Sequence, residues 1–116
     1  MNTPETRRAP RMQVPVSVPV TDQMRGEVIG RLGNISETGM LLIASEALTE
    51  DALYQLRFPI PSGHGGELPI DVGVHLLWRE AAHAPGHYWA GFRFLTLEKS
   101  QRERLRQWIE SHLPAS

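Results

Sequence analysis

Between residues 14 and 95 apolar and polar positions alternate with a period close to two. Val14, Val16, Val18 and Val20 are interleaved with Pro15, Ser17, Pro19 and Thr21, the pattern of a half-buried strand. The two prolines remove backbone donors, so this strand is predicted at an edge or as an irregular one. Residues 27–35 predict a second strand, with Val28 and Ile29 leading into a looser Gly30–Gly33 stretch. Residues 40–44 and 53–60 predict two more, the latter bounded by Pro59 and Pro61. The longest candidate, 68–80, places Ile70, Val72, Val74, Leu76 and Trp78 on one face, and 88–95 is the last. After Thr96 the period changes to 3.6: Leu105, Trp108, Ile109 and His112 share one side of a helix. Thr96 is the expected N-cap, Glu98 sits in the first turn with Arg102 four residues on, and Pro114 is the stop. Six short strands followed by one helix predict an all-β antiparallel barrel or sandwich plugged by the helix. Strands do not alternate with helices, so a parallel sheet is not expected.

The length of 116 residues suits one domain with one modest core. The chain has no cysteine, which excludes disulfides, thiolate catalysis and thiolate metal sites. A formal net charge of -1 gives no whole-molecule field for nucleic acid or an acidic membrane, and no nucleic-acid partner is expected. The N-terminus has no apolar core of the signal-peptide kind, and the longest aliphatic run, 40–44, falls far short of the ~20 residues that a span needs. A soluble, cytoplasmic protein without membrane insertion is expected.

Charge is nevertheless uneven. Arg7-Arg8-Ala9-Pro10-Arg11 puts three guanidiniums within five residues, groups that grip phosphate bidentately, stack on purines and match the N7 and O6 acceptors of guanine. The same run also reads as a solvated basic tail. Asn34-Ile35-Ser36-Glu37-Thr38-Gly39 lies between two strands, where it reads either as an ordinary hairpin turn or as a turn presenting a carboxamide, a hydroxyl and bare backbone to a ligand. Gly39 is expected to supply a positive φ there. His83 and His87 flank Pro85-Gly86, so they do not share a helix face, and no metal site is expected. Ser62-Gly63-His64-Gly65-Gly66 runs into a strand and reads as a hairpin turn rather than a phosphate loop ahead of a helix. No serine is tied by pattern to a general base, and no catalytic residue is assigned.

R-x-x-x-R before the first strand and N-x-S-x-x-G after the second resemble the signature of the PilZ family. Here these are Arg7 and Arg11, then Asn34, Ser36 and Gly39. Trp78 at the end of the long strand, Gly91-Phe92-Arg93-Phe94 in the last strand and a closing helix are similar to the family too. The resemblance covers residues 5–113 and implies a six-stranded antiparallel β-barrel with a C-terminal helix: a flexible arm over 1–12, the barrel over 13–95 and the helix over 96–113. It implies a cyclic di-GMP receptor with no catalytic role and no cofactor. Arg7 and Arg11, helped by Arg8, would wrap over the ligand. Asn34 and Ser36 would bond a guanine, Gly39 would hold the turn open, and Trp78 would flank the base or belong to the core. Many members carry a further arginine where this chain has Thr6, which bears on whether one or two ligands bind. A single domain without an output module is expected to act on a protein target as a monomer or weak dimer. The alternative is a ligand-independent adaptor, for example in type IV pilus function.

Overall fold

Prolines and glycines decide where the strands begin and break. The computed structural model describes residues 10–113. It contains strands β1 (Met12–Gln13), β2 (Pro19–Asp22), β3 (Glu27–Ile35), β4 (Gly39–Ala44), β5 (Leu53–Pro61), β6 (Glu67–Ala81) and β7 (Tyr88–Leu97), then helix α1 (Lys99–Ser111). All pairings are antiparallel, and six strands close a ring in the order β2-β3-β4-β7-β6-β5 and back to β2. Closure leaves the ring without a free edge.

The expected first strand is two pieces. Pro15 has no N–H to give, and the chain leaves the ladder between β1 and β2, with Val16 63% exposed instead of facing the core. Val14 N–H to the Gly33 carbonyl (3.1 Å) and Leu32 N–H to the Val18 carbonyl (3.0 Å) keep the gap alongside β3. β1 thus extends the line of β2 along the far end of β3 and adds no seventh stave to the ring.

Inward-facing residues fill the barrel. Ile70, Val72, Val74 and Leu76 of β6 meet Leu56, Phe58 and Ile60 of β5 and Phe92 of β7, all buried. α1 lays Leu105, Trp108 and Ile109 onto this core, contacting β5 and β6, whereas His112 is exposed at the C-cap. The helix starts later than expected: Thr96 belongs to β7, and Glu98 is the N-cap, its carboxylate accepting from Gln101 N–H (3.2 Å) and from the Ser100 hydroxyl. Those donors hold the Glu98 carboxyl below its usual range, and it caps the helix rather than pairing with Arg102. Pro114 lies outside the described residues.

One polar network ties helix to barrel. Asp71 of β6 accepts from Arg57 Nε of β5 and from Gln23 Nε2, both at 2.6 Å, while its backbone N–H donates to Gln101 Oε1 of α1 at 2.6 Å. The Arg57 guanidinium, with help from Gln23, holds the Asp71 carboxyl below the usual carboxylate range against the opposing effect of partial burial. A depressed native pKa gives stability that is fully present above the unfolded value of about 3.9 and is lost as pH falls through the native value. Asp71→Asn is therefore expected to lower the urea midpoint at pH 7 and to matter less at pH 3. An equal loss at both pH values would remove the ionised carboxylate from this account.

Candidate functional site

Two β-bulges set the outer wall of the barrel. In β3 the register shifts between Leu32 and Asn34, so Leu32 and Ile35 stay buried while the half-buried Asn34 is turned outward. In β6 it shifts between Leu76 and Trp78. Strict alternation would carry Trp78 inward behind Leu76; the bulge takes Leu77 out of the alternation and leaves Trp78 on the outer face, where it is 43% exposed. Trp78 is therefore not a core residue.

The bulges align a row of residues across five strands. Gln13 of β1 pairs with Asn34 of β3, Asn34 with Leu41 of β4, Leu41 with Gly91 of β7, and Gly91 with Trp78 of β6. Gly91 is the low point of the row, and a Cβ there would run into the indole at Nε1 and Cε2. Glycine is required at this point for close approach, so that Trp78 can lie against β7. Above the row is a cleft of about 230 Å³. Met40 and Phe92 floor it, Leu41, Leu77, Trp78 and Gly91 line it, and Arg11 and Asn34 form its polar rim.

Arg11 Nη1 donates to Asn34 Oδ1 at 2.6 Å, which holds the guanidinium at the cleft and leaves the Asn34 amide nitrogen as a donor. Among the described residues Arg11 forms no ion pair. The Glu37 carboxylate of the same turn is paired with the helix: Arg106 Nε of α1 donates to it at 3.2 Å, and that contact leads the rise of the Arg106 pKa above its ordinary value. The cleft thus offers an indole, an amide donor, a cation and apolar walls. These suit a flat, acceptor-bearing ring attached to an anion.

Ser36 and Gly39 stand beside the cleft rather than in its lining. Ser36 is 1% exposed: its N–H donates to the Gly39 carbonyl (2.8 Å), and its hydroxyl accepts from Thr38 N–H (3.2 Å). This knits the turn between β3 and β4. Gly39 does not adopt the expected positive φ; it begins β4, and a side chain there would strike the Phe92 carbonyl of β7. Its smallness serves the approach of two strands. Arg7 and Arg8 lie outside the described residues. Sequence reasoning had no signal for Met40, Leu41 or Leu77 as cleft residues, since each reads as ordinary strand.

A family model described as PilZ domain matches residues 5–111. Among solved structures, the Bacillus subtilis inhibitor of motility (MotI/DgrA) superposes with a TM-score of 0.72 at 13% identity, covering 90% of this chain and 49% of that one. This chain thus spans about half of that protein. The PilZ domain of YcgR from Escherichia coli, solved with c-di-GMP, gives a TM-score of 0.64 at 19% identity, covering 91% of this chain and 90% of that one. Both resemblances show the fold. No curated protein matches the sequence.

Gly91→Ala is expected to force Trp78 off β7 at a cost of about 1–3 kcal/mol of stability, read from urea denaturation. A Gly91→Ala protein as stable as wild type would mean that the indole does not rest on this glycine.

Proposed function

The chain belongs to the PilZ domain family, and from that premise we propose that it is a cyclic di-GMP receptor, acting by binding rather than catalysis. The observation that carries the reading is the convergence of Arg11, Asn34 and Trp78, far apart in sequence, on one cleft in the outer wall. The indole offers a stacking surface for a guanine. The Asn34 amide nitrogen can donate to the guanine O6 or N7 acceptors, and the Arg11 guanidinium can take either that acceptor pair or a phosphate. Ser36 and Gly39 act one step back, by fixing the turn that carries Asn34.

Cavities that enclose drug-sized ligands occupy about 300–1,000 Å³, and a cleft of about 230 Å³ covers only part of a cyclic dinucleotide. The remaining cover is assigned to the segment before Arg11, whose Arg7 and Arg8 meet the phosphates and the second base. Ordering of that arm alters the surface around the cleft, and the altered surface changes contact with a protein target. Both ligand and target are compatible with a cytoplasmic role, and among the described residues no helix is long and apolar enough to cross a membrane.

Calorimetric titration with cyclic di-GMP, against GTP as control, is expected to show selective micromolar or tighter binding, its stoichiometry giving one or two ligands beside Thr6. Arg11→Ala and Trp78→Ala are each expected to weaken binding by about ten- to a hundredfold. Unchanged affinity in both variants would refute the site. No binding by the wild-type protein would leave the ligand-independent adaptor as the function.

A further inference from the structure

A second cleft, sharing no lining residue with the first, lies between the β5–β6 hairpin and α1. Its volume is about 160 Å³. Arg104, Gln107, Trp108 and Ser111 face it from α1 at the spacing that puts residues on one side of a helix, and Ser62 and Gly63 face it from the hairpin. No Asp or Glu lines it.

Two independent features give this cleft the chemistry of an anion site. The first is Arg104. Its Nη2 donates to the Pro69 carbonyl at 3.3 Å, which anchors the guanidinium, but its Nη1 is buried and has no hydrogen-bond partner among the described residues. A buried guanidinium nitrogen without an acceptor is strongly unfavourable, so the arrangement calls for one. The second is the hairpin Ser62-Gly63-His64-Gly65-Gly66. Gly63, Gly65 and Gly66 are all left-handed, with φ of 88°, 87° and 74°. Ser62 holds the loop closed through its N–H to the Gly66 carbonyl (3.1 Å) and its hydroxyl to the Gly65 carbonyl (2.7 Å). Of this turn, Ser62 and Gly63 reach the cleft wall, where Gly63 presents bare backbone.

We propose that this cleft is a phosphoryl-binding site, independent of the cyclic di-GMP reading. Arg104 supplies the charge, and Gln107 and the Gly63 N–H supply further donors. Nη1 is shielded from solvent, so binding requires the cleft wall to open around the guanidinium. The phosphoryl group can be free phosphate or part of a phosphorylated partner, because the cleft opens to solvent at the hairpin.

The test is an amide and guanidinium NMR titration of the whole chain with inorganic phosphate, and separately with acetate, at matched ionic strength. Phosphate is expected to move the Gly63 amide and the Arg104 Nε–H signals saturably, with a dissociation constant of about 1–10 mM, and acetate to bind more weakly. Arg104→Gln is expected to abolish the saturable shifts. Gln107→Ala, at an exposed position, is expected to weaken binding without touching the core. Shifts that persist in Arg104→Gln, acetate binding as tight as phosphate, or no saturable shift in the wild-type protein would each overturn the site. A phosphopeptide that reproduces the same shifts more tightly than phosphate would assign the site to a modified partner.

Discussion

Strand register governs everything on the outer wall of this barrel. Side chains alternate across a strand, so a residue's face is set by its count from its neighbours and only weakly by its own chemistry. In β6 four consecutive inward positions, Ile70 to Leu76, would commit Trp78 to the interior. One additional residue, Leu77, cancels that commitment. The same reset in β3 frees Asn34 from the rhythm that buries Leu32 and brings Ile35 inside. The polar and aromatic residues of the cleft share one face only because both resets occur, one on each side of the β4–β7 pair.

The surroundings keep that face in place. Gly91 lets the indole lie against β7, and Gly39 lets β4 approach β7 closely at the start of their pairing. The turn carrying the Asn-Ser-Gly motif is held from two further directions: Phe94 N–H reaches the Thr38 carbonyl at 2.9 Å, and Arg106 of α1 reaches Glu37. A half-exposed pair of that kind contributes little by itself to stability. Its effect is positional, since it ties the acidic residue of the turn to the helix.

The strand count, the single helix and the motif pairing were legible because periodicity and residue spacing are properties of the sequence itself. β3 runs over the expected residues, and β4 to β7 each begin or end within two residues of expectation. The failures share a cause. Four alternating valines look like one strand and put Val16 inward, whereas Pro15 breaks the ladder. A last strand that stops at Leu95 makes Thr96 a cap, yet the pairing of β7 with β6 continues to Leu97. Gly39 looks like a turn residue because its neighbour strand, β7, is more than fifty residues away in sequence. Each depends on pairing between distant segments, which a local pattern cannot contain. The cleft residues Met40, Leu41 and Leu77 were invisible for the same reason.

The bulge at Leu77 makes chain length itself a functional variable. Replacing Leu77 by another residue would alter the lining of the cleft and leave the counting intact. Removing it would let Trp78 follow Leu76 directly, so plain alternation would keep the indole on the outer face and the bulge would vanish from the ladder. The barrel wall would then be continuous, and the cleft would keep its indole while losing the Leu77 side chain and the irregularity beside it. The bulge is therefore carried by the presence of a residue, not by its type. Relatives of this fold compared by substitution alone would conceal it, whereas an alignment gap at that position would expose it.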